Sequence, residues 1–383
     1  MKILHIGKYY PPIEGGIEAV SHFIVQTLEE HDQLVITFND RNATIKETIG
    51  GVDVIRASSA LTVASQPISL SYGVEIIKAI RSFNPDVIYF HYPNPLGALY
   101  LLMAIPHHCR LIVHWHSYIV AQRILHRFVM PLESRLLRRA QSIVATSPRY
   151  AEASRPLRHN SHKVSVIPCS IDEALFELSP SDHQQVEEIK HRYEGVPIVY
   201  FIGRHVEYKG LQYLLQAERM IPDECVILIA GHGPLTRRLQ ESCTSPRVHW
   251  LGRISEQEMK YYYHAADVFA FPSITRNEAF GVALAESMYC GCPSVTFTVN
   301  GSGVNWVSID GETALESPNG DPEALARAIS SLLRDPSLRT RMGQNAVTRV
   351  KNFFSKHATR DKYRQLISEC QSRTFSDIKP LQI

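Results

Sequence analysis

A chain of 383 residues is too long for one ordinary hydrophobic core, so two domains of similar size are expected. With 44% hydrophobic and 20% charged residues it has the make-up of a folded globular protein, and a formal net charge of +2 gives no global reason to bind nucleic acid. No apolar run reaches the length of a membrane span, which argues against an integral helical membrane protein.

Residues 3–6 read as a short apolar strand that runs into a loop carrying Gly15 and Gly16, followed by a helical run over 19–28. A glycine pair ahead of a helix lets the backbone approach a ligand and aims free N–H groups at it, although an ordinary strand-to-helix turn has the same composition. Apolar runs then alternate with helical patterns: strands near 34–37, 52–55, 86–91, 111–116 and 142–147, helices near 72–83 and 95–103. Short β-branched strands alternating with helices predict a parallel sheet covered on both faces. Ligands of such sheets sit at the carboxyl ends of strands, where His91, His116 and Ser147 fall. Between Tyr100 and Lys163 ten cations (Arg110, Arg123, Arg127, Arg135, Arg138, Arg139, Arg149, Arg155, Arg158, Lys163) face two anions, Glu133 and Glu152. That asymmetry suggests an acidic partner or surface for the N-terminal half.

Residues 164–172 read as the last strand and exit loop of this half, and the polar stretch 179–194 as a linker. Alternation restarts with strands at 198–204, 226–231, 248–252, 268–271 and 293–297. Arg204 and Lys209 stand on a loop between a strand and a helix. A fork donor and a mobile point charge together suit a diphosphate, although loop cations are commonly just solvated. Gly231-His232-Gly233 lacks the third glycine of a dinucleotide fingerprint, so NAD is poorly supported. Glu278 and Glu286 stand eight residues apart, a little over two helical turns. A helix starting near Phe280 keeps Glu286 on its inner face, holds Glu278 over its N-terminus, and presents the N–H groups of Phe280, Gly281 and Val282. Such a point suits a ligand with hydroxyls on one side and a diphosphate on the other, although a surface turn followed by a core helix with an incidental Glu has the same pattern.

Taken together, Gly15-Gly16, His116-Ser117, Thr146-Ser147, the run from Pro168 to Asp172, Gly203-Arg204 with Lys209-Gly210, the run from Ala230 to Pro234, Glu278-x7-Glu286 and the run from Asp310 to Thr313 resemble a retaining glycosyltransferase of family 4. The resemblance covers nearly the whole chain and extends to bacterial O-antigen and lipopolysaccharide mannosyltransferases. It implies the α/β GT-B fold: two doubly wound Rossmann-like domains facing each other across a cleft, with 1–180 holding the acceptor and 195–355 the nucleotide sugar. A last helix, 356–383, is expected to return to the first domain. In that reading Arg204 and Lys209 hold the diphosphate, Glu278 the sugar hydroxyls with Phe280, Gly281 and Val282, and Glu286 the ribose. Gly15 and Gly16 close over the diphosphate, and His116 lies against the donor sugar. Catalytic roles thus fall to His116, Glu278, Arg204 and Lys209.

The donor expected is GDP-mannose, with UDP-hexoses next, and the acceptor a polyprenyl-diphosphate-linked or other oligosaccharide. No D-x-D triplet is present, so no metal is expected, and no cofactor beyond the donor. Relatives often carry a Glu where this chain has Asn300 to Trp306, which puts one donor contact in doubt, while Cys169-Ser170 replaces a common Asn-Gly. The basic, apolar-interleaved stretches 123–131 and 135–139 suggest contact with an anionic membrane surface, against the plainer reading of helices packed on the sheet. The seven cysteines form no C-x-x-C pair, and a strand begins at the first residue; both fit a cytoplasmic protein, peripheral on the inner face of the plasma membrane. A nucleotide-sugar epimerase, a sugar phosphorylase and a non-enzymatic scaffold on the same fold stay open.

Overall fold

The computed structural model describes residues 1–13, 15–59, 61–63, 66–117, 123–221 and 224–372, with backbone alone at 63, 123–128 and 372. The chain divides into two compact units: Met1–Pro168 together with the chain from Arg360 onward, and Cys169–Thr359.

The first unit is built on β1 (Lys2–Ile6), β2 (Asp32–Phe38), β3 (Ile45–Ile49), β4 (Val52–Ala57), a small ribbon of β5 (Leu61–Val63) and β6 (Gln66–Ile68), then β7 (Val87–Tyr92), β8 (Arg110–Trp115), β9 (Ser142–Ala145) and β10 (Val164–Val166). Eight strands form one sheet in the order β10-β9-β8-β7-β1-β2-β4-β3. Every neighbouring pair in it is parallel except β3–β4. All six residues of β7 are buried, as expected of a central strand covered on both sides. The antiparallel additions β3 and β5–β6 escape sequence reading because their residues are mostly solvent-facing and carry no apolar run. Strand order reverses between β1 and β7, so the carboxyl ends of these two strands form the unit's switch point. The first helix, Gly16–Thr27, starts three residues earlier than the periodicity of 19–28 suggests; it packs inward through Val20, Phe23, Ile24 and Val25.

The second unit carries β11 (Ile198–Ile202), β12 (Val226–Ala230), β13 (Val248–Gly252), β14 (Val268–Phe271), β15 (Ser294–Phe297) and β16 (Ala314–Ser317). They form a wholly parallel sheet ordered β13-β12-β11-β14-β15-β16. Its core joins Val199, Phe201, Ile227, Ile229 and Val295 to Leu325, Ile329 and Leu332 of the helix Pro322–Arg334. Those last three stand at i, i+4 and i+7, one face of the helix. The switch point lies between β11 and β14.

The expected linker 179–194 is corrected by the structure. Pro180–Arg192 is a helix opened by a capping box in which Ser179 and Asp182 bond reciprocally. The Asp182 carboxylate accepts from Lys260 Nζ and Tyr261 Oη, both at 2.7 Å, which binds the helix into the second unit. Lys260, then the Ser179 N–H, holds that carboxyl below the usual carboxylate range. Only two large apolar residues of the helix, Val186 and Ile189, are buried beside Asp182, so polar anchors share the docking. The division accordingly falls at Pro168/Cys169 rather than at 180. The chain re-enters the first unit at Arg360, within the helix Lys356–Ser372. There Tyr363 packs edge-on to Phe23 with centroids 6.1 Å apart, and Arg364 Nε donates to the Thr27 carbonyl at 3.3 Å. Residues 373–383 of the expected last helix lie outside the described residues. Among the described residues no helix is long and apolar enough to cross a membrane.

Candidate active site

In the second unit, the loop leaving β11 lies between those leaving β12 and β14 at the switch point. Two glycines make this possible. Gly231 adopts φ +110°, and a Cβ there would stand 2.0 Å from the carbonyl oxygen of Gly203; Gly210, at φ +66°, would meet the carbonyl of Pro272 at 1.9 Å. Only residues without a side chain let these turns lie backbone against backbone. Arg204 follows directly. It is exposed, and its guanidinium makes no hydrogen bond or ion pair among the described residues. Lys209 is the opposite: its Nζ lies 2.5 Å from Glu278 Oε2 and 5.1 Å from the centroid of Phe271. Burial alone would lower the Lys209 ammonium, but Glu278, aided by Tyr208 and Glu286, raises it above the ordinary lysine value.

Glu278 is held at both ends. Its Oε2 also accepts from Ser273 Oγ at 3.2 Å, and its backbone carbonyl accepts from Ser302 Oγ. The helix after it runs Val282–Tyr289, two residues later than a start at Phe280, because Gly281 takes a left-handed conformation at the cap. No side chain caps this helix, so the N–H groups of Phe280, Gly281, Val282 and Ala283 have no partner among the described residues. The Phe280 ring is buried edge-on against Phe354, leaving its backbone as the available part. Glu286 sits on the second turn, where Tyr263 Oη donates to its Oε2 at 2.9 Å. Burial pushes the Glu286 carboxyl up to about 7, against the opposing pull of Tyr263 and Lys209. One exposed guanidinium, one paired ammonium, unbonded N–H groups and two carboxylates, one bonded to that ammonium and one to a tyrosine hydroxyl, thus share one end of one sheet. Such a set can hold a diphosphate on its cationic and N–H side and a polyol on its carboxylates.

Sequence reading missed Ser273, Ser302 and Tyr263, which orient the two glutamates; nothing in their local sequence marks them. Within the stretch Asn300 to Trp306, where one donor contact is in doubt, the Asn305 side chain is taken up internally. Its Nδ2 donates to Phe297 O at 3.1 Å and its Oδ1 accepts from Val299 N at 2.7 Å.

In the first unit, Gly15 is the residue before the helix and Gly16 its first residue. Gly15 is extended, and the Glu18 carboxylate folds back over it, so that a Cβ at Gly15 would meet Glu18 Oε2 at 2.1 Å. His116 follows β8 and is buried. Around it the strand register stacks aromatic rings on one face: His5 beside Tyr89, then His91 beside His114. His91 Nδ1 lies 3.0 Å from His116 Nε2, and the rings of His114 and His116 stack with centroids 4.0 Å apart. Burial, then the neighbouring rings, pulls His91, His114 and His116 well below the usual imidazole range, so all three are neutral. Their nitrogens come within 4.8 Å of one another, the spacing of a metal triad. The planes are nearly parallel, however, at 10° to 21°. An imidazole lone pair lies in its ring plane, so the face-to-face rings of His114 and His116 cannot aim at one ion. Ser147 is no free nucleophile: its Oγ accepts from Tyr150 N as a helix cap.

Of the basic stretch, 123–128 lies outside the described side chains. Leu136 and Leu137 are core residues, and Arg139 donates to the carbonyls of Pro106 and Cys109 at 2.7 and 2.6 Å. Arg135 and Arg138 are exposed.

Residues 14–175 match the family described as Glycosyltransferase Family 4, and 182–349 match Glycosyl transferases group 1. The chain is 31% identical to the D-rhamnosyltransferase WbpZ of Pseudomonas aeruginosa over 367 residues, 93% of this chain and 92% of that one. It is 29% identical to the O-antigen chain mannosyltransferase C of Escherichia coli, covering 95% and 97%. Sucrose-phosphate synthase from Thermosynechococcus elongatus shares the fold with a TM-score of 0.79 at 22% identity, covering 97% of this chain and 100% of that one. The chain is a glycosyltransferase and belongs to family 4, with the GT-B fold.

Proposed function

We propose that this glycosyltransferase moves a hexose from a nucleotide-diphosphate sugar onto a lipid-linked or oligosaccharide acceptor in bacterial surface-polysaccharide synthesis. The observation that carries the reading is the unpartnered Arg204 guanidinium placed with Lys209, Glu278, Glu286 and the free N–H groups after Phe280 at one switch point. Arg204 and Lys209 bind the diphosphate and offset the charge that grows on it as the glycosidic bond breaks. Glu278 takes sugar hydroxyls and Glu286 the ribose diol. His116 faces the donor sugar, and Gly15 and Gly16 approach the diphosphate. With side-chain cations in place, the chemistry needs no metal. Transfer goes with retention: the bond from C1 to the diphosphate oxygen breaks, one from C1 to the acceptor oxygen forms on the same face, and the acceptor proton passes to the leaving phosphate.

The donor we favour is GDP-mannose. D-Rhamnose is 6-deoxymannose, so the sugars named for both near-full-length relatives share the manno configuration. The acceptor's lipid would bring the protein to an anionic membrane surface through the exposed Arg135 and Arg138 and the neighbouring Met130, 47% exposed.

The test is release of nucleoside diphosphate and a glycosylated product from GDP-mannose, UDP-glucose or UDP-GlcNAc, with and without a polyprenyl-diphosphate-linked acceptor. Acceptor-dependent turnover of GDP-mannose supports the whole reading; turnover of a UDP-sugar alone corrects the donor. Conversion of donor without acceptor would mark an epimerase instead. Equal flotation with anionic and neutral vesicles removes the membrane contact.

A further inference from the structure

Beneath His116 lies a chain of histidines whose hydrogen bonds determine which of its nitrogens carries the proton. Nε2 of that ring faces His91 Nδ1 at 3.0 Å; its Nδ1 has no hydrogen-bond partner among the described residues, and His116 keeps 6% of its surface where His91 keeps 1%. Both rings are neutral, so one proton lies between them and either ring can supply it. The far side of His91 decides. Its Nε2 is buried and without a partner. If His91 carried its proton there, a buried N–H would be orphaned; if it carries it on Nδ1, only a bare lone pair is left unmatched. Orphaned buried N–H groups are the rarer and costlier of the two.

His5, on the same face of the sheet, shows the same rule under tighter constraint. Gln33 Nε2 donates to Val25 O at 3.0 Å and Leu28 O at 2.9 Å, which turns its Oε1 toward His5 Nε2 at 2.9 Å. An amide oxygen only accepts, so His5 is protonated on Nε2, and its buried, unpartnered Nδ1 is the bare one.

We infer that His91 is a positioning residue: its Nδ1–H donates to His116 Nε2 and thereby holds His116 as the Nδ1–H tautomer, a hydrogen-bond donor and not a base toward the donor sugar. This rests on the proposal that His116 faces that sugar. As a donor, Nδ1–H can bind a sugar hydroxyl or a phosphate oxygen that gains charge as the glycosidic bond breaks. It cannot take the acceptor's proton, which leaves the diphosphate as the proton's destination. The tautomer is lost when residue 91 can only accept, because His116 must then protonate Nε2 and present a bare Nδ1.

The experiment is nitrogen-15 correlation spectroscopy of the full chain with labelled histidine, the His116 signals identified by their loss in His116→Ala. A protonated Nδ1 on His116 in the wild type, retained in His91→Asn, whose amide N–H replaces the donor, supports the assignment. A protonated Nε2 or a charged ring in the wild type overturns it. In turnover, His91→Ala should lower kcat by roughly 10- to 100-fold with KM for the nucleotide sugar little changed, less than the roughly 100- to 1000-fold of losing a donor that itself touches the developing charge. His91→Asn should recover most of that loss. Equal rates for His91→Asn and His91→Ala would overturn the role of His91 as a donor. The spectra need no substrate: Nδ1–H in the spectra with full activity in His116→Ala would sink the placement of His116 at the sugar and leave the tautomer assignment standing.

Discussion

Glu278→Gln removes the charge facing Lys209 while keeping its shape. In the wild type Nζ and Oε2 are 2.5 Å apart, and the two side chains keep only 13% and 12% of their surface. Leaving one member of a buried pair unmatched costs about 3–5 kcal/mol. Here the amide oxygen can still accept from Nζ, and Glu286 remains in the field of the ammonium, so a loss of about 2–3 kcal/mol is expected. For a unit of this size that lowers Tm by roughly 4–12 °C. Thermal unfolding of Glu278→Gln, Lys209→Met and the double variant measures it. The double variant should be less destabilised than the sum of the singles by about 1 kcal/mol or more. A nucleoside diphosphate supplies the missing anion, so GDP or UDP should stabilise Glu278→Gln at least as much as the wild type while sugar transfer is lost. A Tm within a degree of wild type, or strictly additive single effects, would refute the pairing.

Three further outcomes follow from the same geometry. Arg204→Ala removes an exposed side chain with no internal partner, so stability should change by less than about 0.5 kcal/mol; the thermal shift produced by a nucleoside diphosphate should nonetheless disappear, and a full shift would remove Arg204 from the site. Glu286 has a folded carboxyl raised from the ordinary 4.5 to about 7. The folded state therefore holds that proton more tightly, and the stability it contributes at low pH is lost as pH rises from about 4.5 through about 7. Glu286→Gln should flatten that slope in denaturant titrations across pH 4–8, and should flatten a rise in nucleotide affinity near pH 7 read by calorimetry. Gly231→Ala would drive a Cβ to within 2.0 Å of the Gly203 carbonyl at φ +110°; a loss of several kcal/mol, roughly 3 or more, should appear as a lower denaturant midpoint, and an unchanged midpoint would contradict the close approach of these turns.

Much of this protein was legible along the chain, for reasons of local physics. Strand and helix periodicities depend on neighbours a few residues away, so runs such as 86–91 and 198–204 reveal the two alternating halves. The spacing of Glu278 and Glu286, and the cations Arg204 and Lys209, are likewise local facts, and their type already implies a diphosphate and a polyol. The same locality explains the error at 179–194. A helix that buries only Val186 and Ile189 and is otherwise docked by Asp182 onto Lys260 and Tyr261, residues far along the chain, has too short an apolar stripe to announce it.

Tertiary structure decided which of these groups meet. Lys209 reaches Glu278 across 69 positions, Tyr263 turns Glu286 across 23, and His91 bonds His116 across 25. Each contact depends on strand order and register, and these are set by the packing of whole sheets rather than by neighbours in sequence. Protonation follows from the same cause. Burial raises Glu286 to about 7, and one unmatched buried nitrogen on His91 determines the proton on His116, because the low polarity of the interior makes each unpaired group costly.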